Sequence, residues 1–188
     1  MIRQATEKDD VTVVVNLINV AYKIGEKGII VDSDEFPFFR MREQDVIDLI
    51  SNSNLMVLEK DDNIIGCVKL NFNIEKTAEG HRVGEWGGLA VHPDFQKQGY
   101  GSMLQSAAEN RLLEAECEYA QLELLTPSNW THDHKERLRS WYVNKLGYAL
   151  KVTGEYAKST TSLPEGTMLL GRFLLATAAD FTIYHKKI

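Results

Sequence analysis

Apolar residues recur at helical spacing in four stretches of the chain and cluster in short runs between them, a pattern that predicts a mixed α/β protein. Ile2 to Ala5 reads as a short strand. The Thr-x-x-Asp run beginning at Thr6 is placed to cap a helix over Glu7 to Tyr22, whose apolar face is Val11, Val14, Val15, Ile18 and Ala21. Gly25 to Arg42 is irregular, with the aromatic run Phe36-Pro37-Phe38-Phe39, and Glu43 to Ile50 is a short helix. The aromatics either line a pocket or cover one end of the core. Leu55 to Lys60, the polar turn Asp61-Asp62-Asn63, and Ile64 to Phe72 read as an antiparallel hairpin.

Val83 to Val91 is a third apolar strand, stopped by His92-Pro93-Asp94, and Gly99 to Glu116 is helical, with Met103, Leu104, Ala107, Ala108, Leu112 and Ala115 as its apolar positions. With a strand over Tyr119 to Leu125 this makes a β-α-β unit. A last helix spans Lys135 to Leu146 and ends at Gly147, where a helix-terminating glycine belongs. Tyr148 to Thr153 and Asp180 to Lys186 alternate as strands. The apolar run Met168 to Leu175, within the segment Gly154 to Ala179, fits helix and strand equally.

Composition narrows the function classes. The 188 residues, 44% hydrophobic and 26% charged, suit a single domain over 1–188 and exclude disorder. A net charge of -6 is opposite to the basic footprint of nucleic-acid binding and does not repel a cationic substrate. No apolar run approaches the ~18 residues of a membrane span, so a cytoplasmic protein with neither membrane nor nucleic acid as partner is expected. Cys67 and Cys117 stand apart and read as buried free thiols. Thr131-His132-Asp133-His134 offers two histidines without further ligands, and with the lone His81 and His185 it reads as structural or surface; no metal is expected.

The candidate chemistry lies in Glu85 to Ser102, where a strand enters a helix through Gln96-Lys97-Gln98-Gly99-Tyr100-Gly101-Ser102. The first turn of a helix has unpaired N–H groups and the positive end of its dipole, and glycines there let a pyrophosphate approach. Gln96, Lys97 and Gln98 supply further donors, Lys97 with charge. Leu104 stands where a dinucleotide fingerprint needs its third glycine, and no Gly-Lys-Ser/Thr follows for a P-loop.

The sequence resembles the GNAT superfamily of N-acetyltransferases, whose Gln/Arg-x-x-Gly-x-Gly/Ala motif follows a strand and a Val-x-Pro stop, here Val91-His92-Pro93 and Gln96 to Gly101. Ile2-Arg3-Gln4-Ala5-Thr6 with Asp9, Ile64-Ile65-Gly66 and Trp141 to Tyr148 extend the likeness over nearly the whole chain; the two long loops depart from it. The resemblance implies an α+β fold: a mixed, mostly antiparallel sheet of six to seven strands, with a parallel pair splayed by a bulge and about four helices on both faces. Gly87 and Gly88 suit the bulge. It implies acetyl-CoA as donor, its pantetheine bonded to backbone along Leu89, Ala90 and Val91 and its pyrophosphate on the turn from Gln96 to Ser102.

By the same likeness, Glu85 is the candidate base that deprotonates the acceptor amine, or else a structural carboxylate. Tyr142 is the candidate acid for the departing thiolate, since its phenol pKa of ~10 is close to that of a thiol. Lys135 stands where the family often has an asparagine that touches the cofactor. The acceptor, a small amine or a peptide or protein amine, is left to the loops 25–42 and 154–179. A homodimer stays open, as does the alternative of a silent acyl-CoA-binding sensor or interaction module on the same fold.

Overall fold

A computed structural model describes residues 1–77, 79–151 and 159–188, with the backbone alone at 73–75. Packing divides the chain into two units, the first made of Met1–Ile24, Phe39–Ala120 and Ile188, the second of Gly25–Phe38 and Gln121–Lys187.

In the first unit β1 (Ile2–Gln4), β2 (Leu55–Lys60), β3 (Asn63–Lys76) and β4 (Arg82–Val91) follow one another as antiparallel neighbours. Asp61 and Asp62 both take positive φ, 49° and 60°, the backbone of the type I′ turn that joins twisted strands. Helix α1 (Val11–Gly25) and helix α2 (Glu43–Ser51) cover one face of these strands. Val14, Leu17, Ile18, Val46 and Ile50 form a single core with Val57, Cys67 and Ala90. Helix α3 (Tyr100–Glu114) lies on the other face, burying Leu104, Ala108 and Leu112 completely. Gly66, of opposite parity to Cys67, meets Leu104 there, as the two-residue period of a strand requires.

Two details of this unit differ from the sequence pattern. Helix α1 begins four residues later than expected because Asp10, not Thr6, caps it: the Asp10 carboxylate accepts from the N–H groups of Thr12 and Val13. Thr6 instead closes a separate turn with Asp9, whose carboxylate accepts from Thr6 N–H and from Arg3. Met103, expected on the apolar face of α3, is half exposed, because the buried stripe runs through Leu104, Ala108 and Leu112.

The bulge is where the glycines predict it. Cys67 pairs with Ala90 and Lys69 with Gly87, so Val68 alone faces Gly88 and Leu89. Gly88 has φ +58°, and a Cβ there would lie 3.3 Å from the Lys69 Cβ. Beyond α3, Glu118 N–H donates to the Arg82 carbonyl. Strand β5 (Tyr119–Pro127) therefore starts beside the start of β4 and runs parallel to it.

In the second unit β10 (Ala179–Lys187) is central, with β5 on one side and β6 (Ala149–Leu150) and β7 (Thr160–Leu163) on the other. The expected strand Tyr148 to Thr153 keeps only Ala149–Leu150, and its residues 152–153 lie outside those described. So do residues 154–158 of the long loop. The run 168–175 is a hairpin, β8 (Met168–Leu169) with β9 (Phe173–Leu174), turned by Leu170 and Gly171 at φ 51° and 66°. The irregular loop after α1 joins this hairpin: Val31 N–H donates to the Leu174 carbonyl and Ala176 N–H to that of Ile29. Phe38 is buried against Phe173, with ring centroids 5.8 Å apart, whereas Phe36 and Phe39 are exposed.

Helix α4 (Asp133–Ser140) starts two residues earlier than the pattern suggests and passes into a π turn over Trp141–Lys145. Leu146 N–H bonds the Trp141 carbonyl, five residues back, and Tyr148 N–H bonds that of Tyr142 around Gly147, which has φ +79°. The fold is thus α+β, with four α-helices among the described residues and a mostly antiparallel sheet that includes a parallel pair. Among the described residues no helix is long and apolar enough to cross a membrane.

Candidate functional site

The turn between β4 and α3 is built from its own backbone. His92 caps a 3-10 turn at Pro93–Phe95, where its Nδ1 accepts from Asp94 N–H, and the chain then takes left-handed φ twice, 61° at Lys97 and 89° at Gly99. The first bond of α3 runs from Met103 N–H to the Gly99 carbonyl. The N–H groups of Gly99, Tyr100, Gly101 and Ser102 precede it and have no helical carbonyl to meet. Beyond the adjoining chain, nothing described lies within 4 Å of the Cβ position on Gly99, and at Gly101 the nearest atom is Leu89 Cδ2 at 3.9 Å, so the side-chain position of each glycine is open. The same contact sets the start of α3 against the bulged part of β4.

Gln96 and Gln98 each make a bond within the turn. Gln96 Nε2 donates to the Val91 carbonyl at 3.0 Å and Gln98 Nε2 to the Asp94 carbonyl at 3.2 Å. Both amides therefore hold the turn in shape, and each keeps a second N–H beside the donors of the backbone and Lys97. Val91 keeps a second lone pair on that carbonyl. Ala90 directs its side chain into the core opposite Cys67, so only its backbone is available to a ligand. Lys60 Nζ stands over the rings of Phe95 and Tyr100, 5.2 and 5.7 Å from their centroids, and steadies the outer side of the turn.

Glu85 is buried on β4 with Lys69 Nζ 3.6 Å from its Oε1. That oxygen also lies 4.0 Å from the Cβ position of Gly87, so the carboxylate leans along the strand toward the bulge. Sequence reasoning missed Lys69, because its pairing with Gly87 follows from the register that the bulge sets. The Cys67 thiol is fully buried, which pushes its pKa up to about 12; it stays protonated at neutral pH and is no nucleophile. Burial raises Cys117 as well.

In the second unit Tyr142 is buried in the π turn, its ring packed on Trp141. Lys135 is held in a buried ion pair, Nζ 2.7 Å from Glu26 Oε1, and this pair occupies the side chain that stands at the family's asparagine position. Glu26 Oε2 is buried with no hydrogen-bond partner among the described residues. His132 and His134 sit at the start of α4 with ring centroids 6.3 Å apart. Burial lowers the pKa of His134, with the charges of Lys135 and Arg137 adding to the effect. Among the described residues no group of three or more His, Cys, Asp or Glu side chains is placed to hold a metal.

The site is thus a bulged strand that runs through a tight turn into a helix start. The acetyltransferase (GNAT) family model matches residues 26–148, more than half of the chain, and the chain belongs to that family. It is 28% identical over 157 residues to the amino-acid acetyltransferase of Actinobacillus pleuropneumoniae serotype 3 (strain JL03), covering 84% of this chain and 29% of that protein. The chain thus spans less than a third of the curated relatives it matches. Among solved structures it is similar to the ribosomal-protein-alanine N-acetyltransferase of Brucella melitensis, with TM-score 0.63, 14% identity and coverage of 100% of this chain and 99% of that one. It is also similar to the N-acetylglutamate synthase of Neisseria gonorrhoeae, solved with coenzyme A and N-acetyl-glutamate, with TM-score 0.53, 21% identity and coverage of 100% and 34%. Both structures share the fold.

Proposed function

We propose that this protein is an acetyl-CoA-dependent N-acetyltransferase that transfers the acetyl group to a primary amine by direct attack in a ternary complex. The observation that carries the reading is the start of α3 directly after the bulged strand, where four N–H groups precede the first helical bond and the Cβ positions of left-handed Gly99 and of Gly101 are open. The pyrophosphate of the donor fits those N–H groups, assisted by Lys97, and its pantetheine fits the backbone of Leu89 and Val91. The thioester then falls near the bulge, on the strand that carries Glu85.

In this reading Glu85 takes a proton from the acceptor ammonium, directly or through one water, and the freed amine attacks the thioester carbonyl carbon. Backbone N–H groups at the bulge stabilise the oxyanion, and Tyr142 protonates the departing thiolate. The protonated state of Cys67 supports a mechanism without an acetyl-enzyme. As acceptor we propose a small amino compound, a free amino acid first, because the relative in Actinobacillus pleuropneumoniae is an amino-acid acetyltransferase. The test is release of CoA thiol from acetyl-CoA in the presence of single amino acids, polyamines, aminoglycosides and peptides. Acceptor-dependent thiol release with an acetylated product supports enzyme action, and acetyl-CoA binding without transfer to any acceptor overturns it.

A further inference from the structure

The register at the bulge brings a primary amine of the chain itself to the carboxylate assigned above as base. Lys69 pairs with Gly87 and Asn71 with Glu85, so Lys69 and Glu85 are diagonal neighbours on one face of the sheet. Lys69 Nζ is 3.6 Å from Glu85 Oε1, and the lysine side chain is 33% exposed against 11% for the carboxylate. The root of the lysine is fixed at the bulge, its Cβ 3.3 Å from the Cβ position of Gly88, and Glu85 Oε1 leans over Gly87. An ammonium held beside a shielded carboxylate has a short path for losing its proton, and the neutral amine so formed is the nucleophile that acyl transfer needs. Lys69 therefore stands where an external acceptor would present its amine, on a side chain exposed enough to meet a second reactant.

We propose that Lys69 is a self-acetylation site, modified by acetyl-CoA bound to the same molecule; this rests on the acetyl-CoA and Glu85 assignments made above. Glu85 takes one proton from the Lys69 ammonium. The amine nitrogen bonds to the thioester carbonyl carbon, the carbon–sulfur bond breaks, and the second nitrogen proton goes to the departing thiolate. The products are N-acetyl-lysine, CoA thiol and the proton left on Glu85, which passes to solvent. The new amide carries no charge, so the modification ends the Lys69–Glu85 ion pair.

The experiment incubates the full chain with acetyl-CoA carrying a ¹³C-labelled acetyl group and follows the label by peptide mass spectrometry, while calorimetry measures acetyl-CoA binding to the same sample. Label is expected at Lys69, appearing with first-order kinetics at a rate independent of protein concentration. The rate should fall about 10²-fold in Glu85→Gln, the usual worth of a general base. Lys69→Arg should remove that label and no other. Bound acetyl-CoA with Lys69 unlabelled overturns this inference while leaving the proposed function standing. Label spread over surface lysines, at a rate that rises with acetyl-CoA and is equal in wild type and Glu85→Gln, is chemical acetylation and also overturns it. Absence of acetyl-CoA binding overturns both readings. The concentration independence is read in the wild-type chain, so the test holds even where Glu85→Gln fails to fold.

Discussion

The Tyr142 hydroxyl is a point where chemistry and packing forecast opposite results. Tyr142→Phe keeps the ring against Trp141 and removes only the proton. With Tyr142 as the acid, kcat falls about 10²-fold or more while acetyl-CoA affinity and melting temperature hold. A lower melting temperature with kcat intact would assign the hydroxyl to packing; steady-state kinetics beside a thermal melt distinguishes the two. The residue types of Gly99 and Gly101 announce the turn, whereas the bonds of the Gln96 and Gln98 amides to the Val91 and Asp94 carbonyls show only in the folded chain. Lys69 gave no sequence signal, since a lysine opposite a glycine means nothing until the register is known.

The strand–bulge–helix element was legible because its parts are written in residues with few alternatives. Adjacent glycines mark the bulge, Pro93 stops the strand, and Gly99 takes the left-handed φ at the helix start. What stayed hidden was element geometry that depends on partners. The π turn at Trp141–Lys145 looks like ordinary helix in the sequence, and the hairpin at 168–175 shows its period only once Leu170 and Gly171 are known to turn. Gly88→Val tests the bulge. A β-branched residue at φ +58°, with its Cβ 3.3 Å from that of Lys69, is strained by about 1–3 kcal/mol. Chemical denaturation should show a loss of that size, and acetyl-CoA affinity should fall with it as the bulge is reshaped. A variant of unchanged stability and affinity would show that β4 takes its path without the left-handed residue.

At the scale of the whole molecule, acid sensitivity has two of its sources in contacts that the sequence could not pair, at His185 and at Asp9. His185, half-buried with Nε2 donating to Gln121 Oε1 at 2.8 Å, has its pKa pushed down to about 4 by burial, with the charge of Lys151 adding to the shift. The unfolded chain, with an ordinary histidine pKa of 6.5, binds that proton first. Stability therefore falls as pH drops from about 6.5 to 4, and below 4 this contribution changes no further. The Arg3 guanidinium holds Asp9 below the usual carboxylate range, so a second loss follows as Asp9 protonates at lower pH. Melting temperatures of His185→Gln between pH 7 and 4 should show a shallower decline than wild type, and equal slopes would remove His185 from the account. The net charge of -6 does not repel a cationic acceptor, and the choice of amine is left to the loops, where the sequence departs from the family pattern.

The central claim is that the start of α3 cradles the pyrophosphate of acetyl-CoA. Titration calorimetry of acetyl-CoA into wild type and Gly101→Glu tests it directly, because the space beside Gly101 admits a side chain without a backbone clash. A carboxylate placed there meets the phosphates at the helix start. Wild type should bind with a one-to-one stoichiometry, and the folded variant should lose about 5- to 30-fold in affinity, since a repelled charge at a helix terminus is worth roughly 1–2 kcal/mol. Equal affinity in the two proteins, both folded by circular dichroism, would contradict the phosphate assignment and with it the donor site on which the proposed activity rests.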